Sequence, residues 1–174
     1  CLLSTRIDPK TLAVDLLPGL ATAWQYEKDG KRVVFTLRKG VTFHDGSKFD
    51  AQATKWNLDR VCKHPKSYLK SDLTEIESVE ALDDSTLAVN LRYPSASVLY
   101  NLSDGRLWSG MVSKAFQEKH GDDELARKGC GTGAFRYKEW IVDQKIVVQR
   151  FPDYWRQGAD GKSLPYLDGI EEHY

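Results

Sequence analysis

Two short clusters of histidine and carboxylate side chains have residue types that could bind a metal or move a proton. His44 precedes Asp45, and His120 is followed closely by Asp122 and Asp123. A zinc site needs spaced ligands, such as two histidines four residues apart on a helix with a third ligand downstream, and neither cluster has that spacing. We interpret the first cluster as a turn and the second as a solvated helix end, and we predict no metal site.

A glycine-rich run at residues 129–134 has the GxGxxA form of the dinucleotide-binding fingerprint. That fingerprint works only when a strand precedes it and a helix follows, so that the helix N-terminus meets the pyrophosphate. Here helix-like residues 124–128 precede the run and strand-like residues 135–140 follow it. We therefore predict a crossover segment in which glycine lets the backbone approach a ligand closely, and no cofactor.

A catalytic nucleophile is not indicated. Hydrolases with a Ser–His–acid triad often hold the serine on a strained turn within GxSxG, which this sequence lacks, and Ser109 followed by Gly110 is typical of an ordinary loop. Carboxylates are abundant, but a catalytic pair is recognised by its distances in space and not by sequence alone. We expect a protein that is not an enzyme.

The tryptophans are more informative, because such rings line both cores and ligand pockets. Trp108 stands in a glycine-flanked loop, Asp104–Gly110, which also contains the cation Arg106. An aromatic face beside a guanidinium suits a planar or carboxylate-bearing ligand. We assign most of the other tryptophans to the core and expect Trp56 to pack under a neighbouring loop.

The bulk composition is that of an ordinary globular protein. The chain has 174 residues, of which 41% are hydrophobic and 29% charged, and 25 basic residues balance 25 acidic ones. Such a balance favours neither nucleic acid nor direct insertion into a membrane, and no apolar run approaches the ~20 residues that span a bilayer. Cys1, Cys62 and Cys130 form no CxxC pair. Because strand-like residues follow Cys1, we favour a chain cut inside a larger protein over a lipoprotein start.

Three β-hairpins are predicted from alternating apolar residues on either side of a turn. The first spans Trp24–Leu37, the second joins residues 76–82 to 86–91, and the third joins residues 135–140 to 145–150. The second should bury the row Leu87, Val89 and Leu91.

Helices are predicted from capping residues and from apolar spacings of three and four. Asp50 should cap a helix that runs through Arg60, and the helix should carry on one face Ala51, Thr54, Leu58, Val61 and Cys62. Shorter helices are predicted at residues 95–102 and at 113–120, where Gly121 should end the helix, and residues 64–73 should form an irregular linker. The fold class is therefore α+β, with antiparallel hairpins, a mixed sheet and several helices.

Several longer motifs together resemble the family 5 extracellular solute-binding proteins, which are the oligopeptide, dipeptide and nickel receptors of bacterial ABC importers. The motifs are LPGLATAW, VVFTLRKGVTFHDGSKFDA, VEALDDSTLAVNLRYPSA, GTGAFRYKEW and VVQRFPDYW, in the family's order over nearly the whole chain. The sequence departs from the family pattern at Ala53, at Gly129 and Cys130, and at Ala134.

The resemblance implies a piece of a larger, two-lobed receptor that closes over its ligand by a hinge, the class II periplasmic-binding-protein-like fold. It implies that residues 1–128 form the small subdomain of the N-terminal lobe. Residues 129–174 would then begin the next part of that lobe, which is incomplete here.

The resemblance also implies partners, a location and a ligand-contacting wall. The ligand is a peptide or a similar small solute, and the full-length protein would meet an ABC transporter permease in the periplasm or outside the cell, after a signal sequence or with a lipid anchor. The residues expected to line the cleft are Arg106, Leu107, Trp108, Ser109, Gly131, Thr132 and Gly133.

Two other functions remain open at this point. The fragment could come from a ligand-sensing domain of a transcriptional regulator, in which case a helix-turn-helix should lie upstream. It could also belong to a hydrolase, which would require turnover by this chain and a nucleophile with a partnered base. We rank the hydrolase last.

Overall fold

The structure, a computed structural model, describes residues 1–104 and 110–174. It divides into two compact units. The first consists of Cys1–Lys39 and Asp50–Met111, and the second of Gly40–Phe49 and Val112–Tyr174. The predicted α+β class is confirmed. The expected boundary at residue 129 concerns the longer receptor and stays a prediction.

A short hairpin opens the first unit. Strands β1 (Leu3–Ile7) and β2 (Val14–Pro18) pair antiparallel. Between them the Asp8 carboxylate accepts hydrogen bonds from the N–H groups of Thr11 and Lys10, at 2.9 and 2.7 Å. These two bonds lower the pKa of Asp8, because they favour its charged form.

A four-stranded antiparallel sheet forms the centre of the first unit. Its strands are β3 (Ala21–Glu27), β4 (Arg32–Leu37), β5 (Ile76–Ala81) and β6 (Thr86–Leu91), in the order β3-β4-β6-β5. The first two predicted hairpins are thereby confirmed. Phe35 lies opposite both Trp24 and Leu87, and Leu87, Val89 and Leu91 are buried as expected. The alternation of apolar residues thus set both the register and the buried face.

Helix α1 (Ala51–Lys63) packs against β5 and β6. Asp50 caps it as predicted, since its Oδ1 accepts a hydrogen bond from the Ala53 N–H at 2.9 Å. Of the predicted face, Ala51, Thr54 and Leu58 are buried, while Val61 and Cys62 are only partly buried. Asn57, which the apolar pattern missed, is buried as well, and its Nδ2 donates to the Ala53 carbonyl at 2.9 Å. Trp56 is half-buried, and the Arg60 guanidinium of the same helix lies 5.9 Å from its ring centroid.

The region between α1 and β5 is more regular than predicted. Tyr68–Leu73 forms a 3-10 helix, so the expectation of an irregular linker was wrong for its second half. Proline at position 65 disfavours α-helix nearby, but it leaves the short turns of a 3-10 helix available a few residues later. Helix α2 (Ser97–Asn101) follows β6 within the predicted range.

The second unit joins one interrupted helix to a three-stranded antiparallel sheet. Helix α3 (Lys114–Lys128) is capped by Ser113, and Gly121 interrupts it at φ 82°. Gly121 thus ends the first helical stretch as predicted, and a second helical stretch follows it up to Lys128. Strands β7 (Phe135–Ile141) and β8 (Lys145–Arg150) form the third predicted hairpin, and β9 (Gly169–His173), which was not predicted, pairs with β8. Within the described ranges, no helix is long and apolar enough to span a membrane.

We expect Asp50→Ala to lower the free energy of unfolding by about 1 kcal/mol, because the first turn of α1 loses its capping acceptor. Asp50→Asn keeps a side-chain oxygen, so its free energy of unfolding should stay within a few tenths of a kcal/mol of that of the unchanged chain. Urea unfolding followed by circular dichroism measures both. An alanine variant as stable as the asparagine variant would contradict the capping role.

We expect Gly19→Ala to be strongly destabilising. A Cβ at this position would lie 2.8 Å from the Leu2 carbonyl oxygen and 3.0 Å from that of Cys1, and backbone atoms move aside less easily than side-chain ends. The loss should be about 1–3 kcal/mol. Gly110→Ala is the matched control, since no atom of residues 1–104 or 110–174 lies within 4 Å of its added Cβ. Equal urea midpoints for the two variants would show that the close approach does not matter.

Candidate functional site

A tight turn within Gly40–Phe49 presents His44 and Asp45 in the second unit. The Phe43 N–H donates to the Ser47 carbonyl at 2.8 Å, and the Gly46 N–H donates to the Phe43 carbonyl at 2.9 Å. Gly46 has φ 83°, a conformation that favours glycine. Phe43 and Phe49 are buried and meet edge to face. The turn is therefore held at its base by aromatic packing and at its tip by backbone hydrogen bonds.

The Asp45 carboxylate connects this turn to the start of α3. Its Oδ1 accepts from the N–H and the hydroxyl of Ser47 at 3.0 and 2.6 Å, and its Oδ2 accepts from the Ser113 hydroxyl at 2.6 Å. Partial desolvation would raise the pKa of Asp45, but these bonds outweigh it and hold the pKa below its ordinary value. Asp45 is thus a charged structural acceptor, in line with the interpretation of this cluster as a turn.

His44 binds the glycine-rich segment by three hydrogen bonds. Its backbone N–H donates to the Gly131 carbonyl at 2.9 Å, and the Gly131 N–H donates back to the His44 Nδ1 at 3.3 Å. Its Nε2 lies 3.0 Å from the Gly133 carbonyl oxygen. The His44 ring also packs edge to face against Phe151, with the two ring centroids 5.0 Å apart. Burial lowers the pKa of His44, so the neutral imidazole is favoured.

Two further hydrogen bonds fix the rest of the glycine-rich segment, one from the Ser113 backbone and one from the Trp155 side chain. The Ser113 N–H donates to the Cys130 carbonyl at 2.8 Å, and the Trp155 Nε1 donates to the Thr132 carbonyl at 3.3 Å. Burial, with the Asp45 charge as a smaller cause, raises the pKa of the buried Cys130 thiol to about 11. A thiol with that pKa is protonated near neutral pH and is a poor nucleophile.

Two cavities lie near predicted parts of the ligand wall. One, in the second unit, adjoins His44 and the glycine-rich segment, and the other, in the first unit, adjoins the end of α2. The cavity in the second unit has a volume of about 160 Å³, and His44, Arg136, Tyr137 and Lys128 are among its lining residues. The cavity in the first unit has a volume of only about 20 Å³, with Leu58 and Met111 in its wall, which is room for about one water molecule. Neither volume matches the several hundred Å³ of a usual solute pocket.

The structure describes one part of the predicted ligand wall, Gly131–Gly133. Gly131, Thr132 and Gly133 form a single braced segment, and Gly133 is exposed. Its N–H finds no hydrogen-bond partner among the described residues. This segment can therefore offer a backbone donor from a fixed position, while its use by a ligand stays a prediction.

The other predicted wall residues, Arg106, Leu107, Trp108 and Ser109, lie outside the described residues. The chain just before them is well anchored in the first unit. There the Asp104 carboxylate accepts from the N–H and the hydroxyl of Thr5 on β1, at 2.7 and 2.8 Å.

Sequence reasoning missed the part that His44 plays. A histidine before Asp-Gly has the pattern of a turn, which it is, and nothing in that pattern points to glycines 87 and 89 residues further along the chain. The available signal was the run of glycines itself, because an irregular segment needs side-chain partners for its backbone groups.

Comparison of the sequence with known proteins finds a matching family and related solute-binding proteins. The family model described as bacterial extracellular solute-binding proteins, family 5 Middle, matches residues 15–174. The glutathione-binding protein GsiB of Pectobacterium atrosepticum is 33% identical over 156 residues, which cover 89% of this chain and 29% of that protein. The chain thus spans less than a third of the length of this relative.

Solved structures agree with the sequence relatives. The periplasmic binding protein DppA of Helicobacter pylori, in complex with the peptide STSA, is similar with a TM-score of 0.76 and 29% identity, over 98% of this chain and 35% of that one. The oligopeptide-binding protein AppA of Bacillus subtilis, in complex with a nonapeptide, has a TM-score of 0.76 and 27% identity, over 98% of this chain and 33% of that one. These similarities and the family match lead to one conclusion: the chain belongs to the bacterial extracellular solute-binding proteins of family 5.

Proposed function

We propose that this chain is part of a substrate-binding protein that captures a peptide or similar small solute for an ABC importer. The observation that carries the proposal is that nearly the whole chain has the fold of a corresponding part of DppA and AppA, both solved with bound peptides. The sequence relative is named for binding glutathione, which is itself a small peptide. Peptides are therefore the first ligand class to test.

The mechanism that we propose is closure of two lobes over the ligand. Ligand binding shifts such an equilibrium only by as much as it favours the closed state over the open one, so both lobes must contact the ligand. This chain would supply one face of the cleft. A single face gives few contacts and leaves most of the ligand in water, so we expect the chain alone to bind weakly or not at all.

Two elements of this chain would form that face. The braced segment Gly131–Gly133 would offer its backbone donor at Gly133 to an acceptor group of the ligand, such as a peptide carbonyl or carboxylate. The loop with Arg106 and Trp108 would add a cation and an aromatic face. Both contributions are non-covalent, as suits a protein that must release its solute unchanged.

The remaining partners follow from the same proposal. The full-length protein would be periplasmic or extracellular, would be secreted or lipid-anchored, and would deliver its solute to a membrane permease. The relatives named above are binding proteins. That favours a receptor without catalytic activity over a regulator or a hydrolase.

We expect isothermal titration of a pool of short peptides, with glutathione as a separate probe, to give heat of binding with the full-length parent protein and no detectable heat with the 174-residue chain. The reason is that the site needs both lobes. Circular dichroism of the chain checks that it is folded.

Comparable affinity in both samples would contradict the two-lobe mechanism and would place a self-sufficient site in this chain. A folded parent protein that binds neither the peptide pool nor glutathione would contradict a peptide ligand.

We expect Trp108→Ala in the full-length parent to weaken peptide binding about tenfold, because a buried aromatic contact with ligand typically contributes more than about 1 kcal/mol. Trp140→Ala is the matched control, since this tryptophan lies on β7 with its side chain exposed. Titration of each folded variant with the peptide that binds the unchanged protein measures the effect. Equal affinities for the two variants would remove Trp108 from the proposed cleft face.

A further inference from the structure

The His44 ring uses both of its nitrogens on the backbone of one short segment. Nδ1 lies 3.3 Å from the Gly131 nitrogen, and Nε2 lies 3.0 Å from the Gly133 carbonyl oxygen. The imidazole thus contacts both ends of Gly131–Gly133, a segment that is neither helix nor strand. The Trp155 indole donates to the Thr132 carbonyl within this segment, and the Ser113 backbone N–H donates to the carbonyl of Cys130, which precedes it.

These two contacts determine where the ring carries its proton. The Gly131 N–H is a donor, so Nδ1 must present its lone pair. The Gly133 carbonyl is an acceptor, so Nε2 must carry the hydrogen. Only the neutral Nε2–H tautomer satisfies both contacts. Protonation at Nδ1 would place two donors against each other and break the bond to Gly131.

The charged and titratable groups around the ring come from four places in the second unit. Asp45 neighbours His44 on its own turn, and its negative charge favours protonation of the ring. Arg136 on β7 opposes protonation. The groups on the remaining sides line the adjacent cavity: Lys128 at the end of α3, the buried thiol of Cys130, and the Tyr137 hydroxyl on β7.

We propose that His44 is the positioning residue of the Gly131–Gly133 segment: it holds this backbone as the neutral Nε2–H imidazole, and protonation of the ring releases it. The consequence for ligand affinity rests on the proposed function, because it requires that this segment form part of the cleft. The positioning itself does not.

The direction of the pH effect follows from burial of the ring. Burial, the largest cause, lowers the pKa of His44 below its ordinary value of 6.5, and Arg136 acts in the same direction. A group whose pKa is lower in the folded chain binds its proton more readily when unfolded. The stabilisation by the His44 contacts is therefore complete above about pH 6.5 and is lost as the pH falls through the folded pKa.

Nuclear magnetic resonance of the chain tests the positioning directly. Long-range ¹H–¹⁵N spectra of histidine-labelled protein should show the Nε2–H tautomer of His44 near neutral pH. The amide resonances of Gly131 and Gly133 should shift as the ring titrates, with the same midpoint. A ring protonated on Nδ1 at neutral pH, or glycine amides that ignore the titration, would overturn the proposal.

His44→Gln is the matched variant, because its side chain keeps a donor but does not titrate. Its Gly131 amide shift should stay constant from about pH 8 to about pH 5, while that of the unchanged chain moves. Replacement of the exposed His173 on β9 by Gln controls for general effects of losing a histidine. An unchanged titration of Gly131 in the His44→Gln variant would assign the effect to another group.

Peptide titration of the full-length parent then tests the consequence for the cleft. Affinity should weaken at least about fivefold between about pH 7.5 and a pH below the midpoint at which the His44 resonances titrate, and it should change less in His44→Gln. If the resonances move as expected but the affinity does not, the segment is positioned by His44 and does not serve the ligand. If the parent binds no peptide at any pH, the proposed function fails while the resonances still decide the role of His44.

Discussion

Backbone groups outside helices and strands need hydrogen-bond partners, and this constraint shapes the second unit. The segment from Cys130 to Gly133 has no strand beside it in the described structure, so its carbonyls are satisfied by His44, Ser113 and the Trp155 indole. The turn that carries His44 is in turn held by Asp45 and two serine hydroxyls. A loop rich in glycine thereby gains a fixed backbone without a bulky side chain of its own.

A fixed backbone of this kind is consistent with the proposed function of a binding protein. Two titratable groups near the segment are engaged in holding the backbone: Asp45 accepts three hydrogen bonds, and both nitrogens of His44 face backbone groups. A proton-transfer catalyst would instead need a group aimed at a substrate. The geometry is consistent with the proposed receptor function, in which the chain would supply one face of the cleft and the solute would be released unchanged.

Local patterns predicted most of the fold, and they failed where contacts are distant in sequence. The alternation around Phe35 and Leu87 gave the hairpins, and Asp50 marked the start of α1, because these signals act over a few residues. Strand β9 was missed since its partner β8 lies about twenty residues earlier and its own residues are mostly polar. The same reason explains His44: a turn pattern predicts the turn and not the glycines that its ring will reach. For the candidate ligand wall, the sequence indicated the segment Gly131–Gly133. It did not indicate that His44 and Trp155 hold this segment in place.

Burial of Cys130 also bears on chemical durability. At a pKa of about 11, on the order of one thiol in ten thousand is ionised near pH 7, and it is the thiolate that reacts with disulfides and peroxides. Burial raises the pKa of Cys62 as well. No disulfide joins these cysteines in residues 1–104 and 110–174. In the oxidising compartment that we propose for the parent protein, such a fold would protect the Cys130 thiol from oxidation and disulfide exchange by keeping it protonated and buried.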